Sequence, residues 1–280
     1  MRKLHKGTFW MVLATFCFAI MGACVKLGSY DFNTNELVFY RSGINLLIVF
    51  FIMMLLKVPL KTNYTVLHLK RSIIGFLSLI LFFYAISHLP LGTAMSLNYT
   101  SPLFVGLLMP FVLKRKIKFL LLCAIFIGFV GIVLILKPTF ADQSFVAGII
   151  GLLSGIGAGF AYLYITQLGQ LKEPSLRTVF YFALISTIGS ALFAMSEQIR
   201  LPNHENIWTL LLLGISATIA QLALTKAYKI GNTLSNAGLS YLTVIFSTII
   251  GVIIFKEYLD WQTYFGICLI IVSGIIASKK

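Results

Sequence analysis

The chain has 280 residues, of which 59% are hydrophobic and 11% charged, and its mean hydropathy is +0.96. A water-soluble fold of this length could not bury so much apolar surface, so the composition excludes a soluble globular protein and indicates one that lies in a lipid bilayer. The net charge of +14 would suggest a nucleic-acid partner for a soluble protein, but basic residues also collect in the cytoplasmic loops of membrane proteins, and we expect no nucleic-acid partner here.

Ten apolar segments have the length of a transmembrane helix, which needs about 20 residues to cross a hydrocarbon core of roughly 30 Å. The connections between them are short and polar, so no separate soluble domain is expected. In chain order the predicted spans are residues 7–27, 36–56, 70–88, 93–113, 118–136, 145–170, 175–195, 207–228, 233–255 and 260–277. The sequence therefore predicts an all-α membrane protein with ten transmembrane helices.

The distribution of Lys and Arg predicts the orientation. Of the 22 basic residues, 17 lie at the two termini or in the loops on the same side as the termini, four lie on the other side, and Arg41 lies inside the second span. Because cytoplasmic loops are enriched in basic residues, we expect a multi-pass protein of the cytoplasmic (inner) membrane with both termini in the cytoplasm. The first apolar segment would also fit a signal peptide, but the repeat described next favours a structural span.

The second half of the chain repeats the first. Val38-Phe39-Tyr40 recurs 141 positions later as Val179-Phe180-Tyr181, and a displacement of 142 places Tyr99 on Tyr241 and Lys114 on Lys256. We therefore divide the chain into two five-helix units, residues 1–140 and 145–280. Because five is odd, the second unit must enter the membrane upside down, so the spacing predicts an inverted-topology repeat, a common plan among secondary transporters.

Arg41 is an ionisable residue within a span, and Phe182 takes its place in the second unit. A charge at that depth is expensive unless it is paired or hydrated, which makes Arg41 a candidate gating or structural charge. Two interpretations stay open. Arg41 either lies in the substrate path, or extends to the membrane interface and pairs with Glu36 or Asp31.

Polar side chains inside several spans share one helix face. In the ninth span Asn236, Ser240, Thr243 and Ser247 follow the spacing i, i+4, i+7, i+11. Such faces either converge on a central cavity for a small polar substrate or bond across helices as packing contacts. Pro102 is expected to kink the fourth span near the middle of the membrane. The candidate substrate-binding residues are Tyr84, Asn98, Tyr99, Ser101, Tyr162, Gln221, Ser240, Tyr241 and Thr243.

Gly151, Gly155 and Gly159 repeat every four residues in the sixth span, a spacing that lets helices approach closely. We interpret this stripe as internal packing, and a homodimer interface stays open as the alternative. The carboxylates and histidines fall in loops or at span ends, and the four cysteines lack metal-ligand spacing. We therefore predict no catalytic residue, no metal, no cofactor and no intramembrane proton-coupling group, which favours facilitated diffusion or exchange.

The chain resembles the drug/metabolite transporter superfamily, and its EamA-type group most closely. The resemblance is carried by FYR (39–41), SPLFVGLL (101–108), VIFSTIIGVIIFKE (244–257) and GICLIIVSG (266–274), and it spans nearly the whole chain. In two places the pattern differs, because Val244 replaces a proline and Arg115 replaces a glutamate. The resemblance implies alternating access around a central cavity, with amino acids and related compounds as typical, often exported, cargo. It also implies, as an alternative, uptake of a nucleotide-like metabolite such as S-adenosylmethionine.

Overall fold

The computed structural model describes residues 2–113, 119–136, 143–194 and 200–278. The basic cluster at 114–118 and the carboxylates Asp142 and Glu197 lie outside these ranges. Within them the protein is helical and has no strand. The helices are α1 (Arg2–Gly28), α2 (Thr34–Leu55), α3 (Thr65–His88), α4 (Leu91–Asn98), α5 (Ser101–Leu113), α6 (Phe119–Leu136), α7 (Gln143–Gln170), α8 (Ser175–Ala194), α9 (Ile207–Ile230), α10 (Thr233–Leu239), α11 (Leu242–Ile254) and α12 (Trp261–Ser278).

The predicted fourth span is two helices, because α4 ends at Asn98 and α5 begins at Ser101. Pro102 has no backbone N–H, so it cannot bond to the carbonyl of Asn98 and the helix cannot continue through this point. The hydroxyl of Thr100 donates to the carbonyl of Leu97 at 2.7 Å and occupies an acceptor at the end of α4. The predicted kink is therefore a complete break.

The predicted ninth span also breaks, between α10 and α11, although the residue corresponding to Pro102 is Val244. Here the hydroxyl of Ser240 donates to the carbonyl of Ala237 at 2.6 Å, and the backbone N–H of Tyr241 bonds to Gly238 with a three-residue spacing. Side-chain hydroxyls that bond to nearby carbonyls compete with the helical ladder. Both halves therefore contain a broken helix at corresponding positions, one with a proline and one without.

Each long helix packs most extensively against a helix of the other half. The pairs are α1 with α9, α3 with α7, α2 with α8 and α6 with α12. At the 141–142 spacing α1 corresponds to α7 and α3 to α9, so the α1–α9 pair of one half corresponds to the α7–α3 pair of the other. The α2–α8 and α6–α12 pairs each join a helix to its own counterpart. The halves therefore share one interlocked core. The first apolar segment is part of that core, because α1 packs along α9.

The outer faces of the bundle are apolar, as a lipid setting requires. Large side chains such as Phe111, Trp208 and Phe126 are at least 70% exposed. Within the described residues, eight helical segments are long and apolar enough to cross a membrane, and each broken helix counts as one of them. The other two predicted spans correspond to α6 and α12, the second of which is a shorter apolar helix. That all ten cross the membrane stays a prediction.

The glycine stripe of α7 faces the inside of the same chain. A Cβ atom at Gly155 would lie 2.8 Å from the carbonyl oxygen of Leu97 and 2.9 Å from that of Asn98. Both are backbone atoms at the α4–α5 break and cannot rotate away. The stripe therefore holds α7 against the broken helix, which is the internal packing that the sequence predicts.

Candidate functional site

A small cavity lies near the middle of the bundle, with walls from both halves of the chain. Its volume is about 60 Å³, which is enough for a few water molecules. The first half contributes α1, α2, α3 and the α4–α5 break, and the second half contributes α7, α8 and α9. Apolar walls come from side chains such as Phe18, Leu79 and Phe82, while the polar groups converge from different helices.

Four of the nine predicted substrate-binding residues line this cavity: Asn98, Tyr99, Tyr162 and Gln221. Asn98 and Tyr99 lie at the α4–α5 break. The amide nitrogen of Asn98 donates to the hydroxyl of Ser154 at 2.8 Å, which fixes how the amide is turned. Broken helices in both halves are where transporters of this general plan place their binding sites.

The other five predicted residues do not line it. Ser101, Ser240, Tyr241 and Thr243 are buried on or beside α5, α10 and α11 and are not among its lining residues. Tyr84 is half-buried and stacks on His88, with ring centroids 4.1 Å apart. The polar face of the ninth predicted span is therefore buried, but it packs inside the bundle outside the cavity.

Arg41 projects into the cavity and does not extend to the surface. It is 1% exposed, and among the ion pairs between described residues none joins it to Glu36 or Asp31. Glu36 instead accepts backbone hydrogen bonds from Asn33 at 2.8 Å and Arg200 at 2.6 Å. The interfacial pairing that the sequence left open is thus not formed. The guanidinium carbon of Arg41 lies 5.2 Å from the ring centroid of Phe182.

Arg71 is a second buried arginine that the sequence did not single out. The predicted third span begins at residue 70, so Arg71 lies at its end and counts with the basic residues on the side of the termini, but α3 begins at Thr65 and carries Arg71 into the bundle. Arg71 is 2% exposed and lines the cavity, and its guanidinium carbon lies 4.0 Å from the centroid of the same Phe182 ring. Because both distances are measured to the same ring centroid, the guanidinium carbons of Arg41 and Arg71 are no further apart than the two distances added together.

Neither arginine is compensated by the groups that surround it. In each, Nε and Nη1 have no hydrogen-bond partner among the described residues, and no carboxylate lines the cavity. A cation over an aromatic face gains about 2 kcal/mol or somewhat more when it is desolvated, whereas each buried ion costs several kcal/mol even after relaxation. Phe182 therefore offsets only part of the cost of burying the two charges, and the cavity is electropositive.

Two tyrosines separate this cavity from a more polar pocket. Tyr162 lines the cavity, Tyr228 lines the second pocket, and their rings stack with centroids 5.1 Å apart. The second pocket has a volume of about 200 Å³ and is bordered by Thr166, Gln170 and Asn232 among others. It lies at the end of the bundle where α1 begins, which we call the amino-terminal end. The stacked pair is therefore the barrier between the cavity and that end.

An ionic cluster around Glu173 ties the two halves together at the amino-terminal end. Its carboxylate accepts from Arg177 at 2.8 Å, shares a hydrogen bond with His68 at 3.1 Å and accepts from Thr62 at 3.0 Å. Burial raises the pKa of the Glu173 carboxyl, but these hydrogen bonds outweigh burial and leave the pKa below its ordinary value. Lys229 adds a hydrogen bond to the carbonyl of Glu173 at 2.6 Å.

The opposite end of the bundle has a corresponding set of contacts. There the carboxylate of Glu36 accepts from the backbone N–H of Arg200. The matching contact at the amino-terminal end, 141 positions further along the chain, is the hydrogen bond of 2.8 Å that Arg177 donates to the carbonyl of Pro59, the counterpart of Arg200. Also at the opposite end, the carboxylate of Glu257 accepts from the backbone N–H of Leu91 at 2.8 Å and lies 3.7 Å from Lys26. Cross-half contacts thus close the bundle at both ends.

No group of three or more His, Cys, Asp or Glu side chains that could hold a metal ion occurs in the described ranges. The cavity presents two cationic groups, two amides and tyrosine hydroxyls with which a small molecule can be recognised.

Comparison with known proteins places this geometry in a family context. The chain is 31% identical over 277 residues to the pseudopaline exporter CntI of Pseudomonas aeruginosa, with 99% of this chain and 97% of the relative covered. It is 28% identical over 278 residues to an S-adenosylmethionine uptake transporter of Rickettsia prowazekii, with 98% and 93% covered. A solved crystal structure at 19% identity superposes with a TM-score of 0.72 and covers 98% of this chain and 96% of that one, which shows a shared fold.

The model of the EamA-like transporter family matches the chain twice, at residues 5–137 and 146–278. These two segments take in nearly all of the sequence, and the relatives that match over their full length are transporters by name. The chain therefore belongs to the EamA-like transporter family.

Proposed function

We propose that this transporter moves an amino acid or a related compound out of the cell across the cytoplasmic membrane, by exposing the central cavity alternately to the two sides. The observation that carries the proposal is the cavity itself, whose walls come from both halves and include the α4–α5 break. A site shared by two units can open to one side or the other as the units move relative to each other.

Alternating access requires that the cavity be closed at both ends at some point of the cycle. A cavity of about 60 Å³ is too small for a metabolite, so the substrate must enter through a more open arrangement. The Tyr162–Tyr228 stack and the Glu173 cluster would open for access from the amino-terminal end. The Glu36–Arg200 and Lys26–Glu257 contacts would open for access from the opposite end.

We further propose that residues 1–140 and 145–280 are inverted-topology units and that both termini are cytoplasmic. The exchange of helix partners between the halves supports the first point, as does the reciprocal pairing of Glu36 with Arg200 and Arg177 with Pro59. The excess of basic residues on the side of the termini supports the second. Because Arg71 lies inside the bundle, it no longer counts among the basic residues of the loops, but the excess of Lys and Arg on the side of the termini remains.

Export is supported by the relative that is named a pseudopaline exporter, and uptake of a nucleotide-like metabolite is the second candidate because another relative is named an S-adenosylmethionine uptake transporter. The two relatives share similar identity with this chain and differ in cargo and direction. Membership of the family therefore does not choose between them, and the choice falls to the chemistry of the cavity.

Counterflow into proteoliposomes tests the proposal. Purified protein in vesicles preloaded with single amino acids, nucleotides or S-adenosylmethionine should accumulate the matching labelled solute with saturable kinetics. Asn98→Ala and Gln221→Ala should each lower exchange, because they remove cavity-lining amides, while Gln262→Ala at the start of α12 should not. Unchanged exchange in both cavity variants would contradict the assignment of the substrate path to this cavity.

A further inference from the structure

We propose that the transported substrate is an organic anion with two carboxylate groups, one held by Arg41 and the other by Arg71, both of which lie against the Phe182 ring. The inference rests on the proposed function, because it names the substrate class of the same cavity. It is drawn from four features of the structure: the convergence of two arginines, their free donors, the lack of a counter-charge among the described residues, and the ring that both arginines contact.

The two arginines reach the cavity from opposite ends of the bundle. Arg41 lies seven residues after the start of α2 and Arg71 six residues after the start of α3, and these consecutive helices begin at opposite ends. At 1.5 Å per residue the two positions are about 10 Å and about 9 Å inside their respective ends. Their long side chains then extend towards each other and meet at Phe182. Two separate elements thus deliver positive charge to one point.

Each guanidinium retains unused donors. Nε and Nη1 of both arginines are buried, and neither atom has a hydrogen-bond partner within the described ranges. A guanidinium is always charged and carries five N–H donors that match the oxygens of a carboxylate. Donors of this kind that are buried around a cavity are satisfied when an anion enters it.

The residues that the structure describes supply no counter-charge to these arginines. Four of the described carboxylates are engaged elsewhere: Glu36 with Arg200, Glu173 with Arg177, Glu257 with Leu91 and Asp260 with Thr263. Asp31 and Glu205, the other two, are exposed and do not line the cavity. With no described carboxylate at the pair, we assign the neutralising charge to the substrate.

The number of carboxylates follows from the number of arginines. Two guanidinium groups over one ring, in a buried cavity, repel each other strongly because the local dielectric is low. A substrate with one carboxylate leaves one positive charge uncompensated, and a neutral substrate leaves both. A dicarboxylate compensates both, while the amide of Gln221 and the hydroxyl of Tyr99 can bond the rest of the molecule.

Counterflow with matched pairs of amino acids tests the number of carboxylates. L-Glutamate and L-glutamine differ only in a carboxylate replaced by an amide, and so do L-aspartate and L-asparagine. Wild-type protein should exchange the dicarboxylates at least about tenfold faster than their amides, since a charge-assisted hydrogen-bond pair is expected to contribute at least that factor. Faster exchange of the amides, or of S-adenosylmethionine, would overturn the inference and leave the transporter function intact. Exchange of no solute by folded protein would count against both.

Arg41→Gln and Arg71→Gln test which groups hold the anion, with Lys61→Gln in the exposed α2–α3 loop as the matched control. In the inferred site either cavity variant abolishes the preference for L-glutamate over L-glutamine, and removes the rise in melting temperature that L-glutamate gives the wild type. Both variants should melt no lower than wild type without substrate, because each removes a buried uncompensated charge. A lower melting temperature in both, or a preference that survives both, would show that the arginines serve the fold.

Discussion

Arg41 and Phe182 occupy the same position in the two halves of the sequence, and in the folded protein they touch, with the guanidinium carbon 5.2 Å from the ring centroid. Here the meeting point is the cavity wall, because α2 packs on α8. With phenylalanine at the second position, the centre carries no third arginine, and the ring supplies an aromatic face for Arg71 as well, at 4.0 Å.

Phe182→Leu should therefore loosen both arginines at once. Leucine keeps the position apolar but lacks the ring face, so each guanidinium loses an attraction of about 1 kcal/mol. We expect lower thermal stability and a higher KM for the transported solute. Melting curves and saturation of counterflow measure the two effects. Phe83→Leu, at a fully buried position outside the cavity walls, is the control, and it should lower stability without raising KM.

Gly75→Ala should displace Arg71. A Cβ atom at Gly75 would collide with Nη1 of Arg71 and lie 3.1 Å from the Phe182 ring, so the end of the arginine side chain must shift away from its place over the ring. We expect transport to fall several-fold with little change in folding, because the side chain can yield where a backbone atom could not. Gly43→Ala on α2 is the matched control, since its Cβ would meet no atom within 4 Å. Equal transport in both variants would contradict this role for Gly75.

The sequence could predict much of this site but not its second arginine. Arg41 is surrounded by apolar residues and is visible as a charge within a span. Arg71 follows a stretch, residues 61–70, that contains two lysines and a histidine, so the predicted span begins only at residue 70 and Arg71 counts as a charge at its end. The physical indication was the helical spacing of His68, Arg71, Gly75 and Ser78, all on one buried face of α3. A face with this spacing indicates that the helix already begins in the polar stretch and continues from there into the bundle.

The two helix breaks show the same limit. Pro102 marks the first, because a missing N–H is a local covalent property that can be seen in the sequence. The second has no such residue. It depends on the hydroxyl of Ser240, which donates to the carbonyl of Ala237, and whether a serine forms such a bond is decided by its tertiary surroundings. Likewise the polar face of the ninth predicted span is visible as a pattern. Whether it meets a cavity depends on how α10 and α11 are turned.

Tyr228→Ala should open the barrier between the cavity and the amino-terminal end. The ring of Tyr228 stacks on Tyr162, so its removal joins the polar pocket to the central cavity. A cysteine placed at Gln221 in a cysteine-free background reports access of a membrane-impermeant thiol reagent. In the double variant we expect the labelling rate from the side of the termini to rise at least about tenfold. That factor corresponds to a loss of about 1.4 kcal/mol of the packing free energy that keeps the barrier closed. An unchanged labelling rate would place the barrier elsewhere.

Glu173→Gln should weaken the cluster at the amino-terminal end by roughly 1–3 kcal/mol, because it removes a charged acceptor that serves Arg177 and His68 together. The folded-state pKa of Glu173 is below its ordinary value of 4.5. The stabilisation is therefore complete above that value and is lost as the pH falls through the lower folded-state pKa. Melting temperatures of wild type and variant should differ most near pH 7 and converge in acid. A difference that does not shrink in acid would contradict the assigned ionisation.

The membrane potential should drive the inferred substrate outward. L-Glutamate carries a net negative charge, and no described carboxylate or histidine lines the cavity to move a compensating proton. Transfer of one elementary charge across 100 mV is worth about 2.3 kcal/mol, so an inside-negative potential favours export of an anion without a coupling ion. Vesicles preloaded with L-glutamate and given an inside-negative potential with valinomycin should release it faster than vesicles held at zero potential. L-Glutamine release, where it occurs, should not respond. Release of L-glutamate that ignores the potential would mean that a cation accompanies each anion, and export would then need a gradient of that cation.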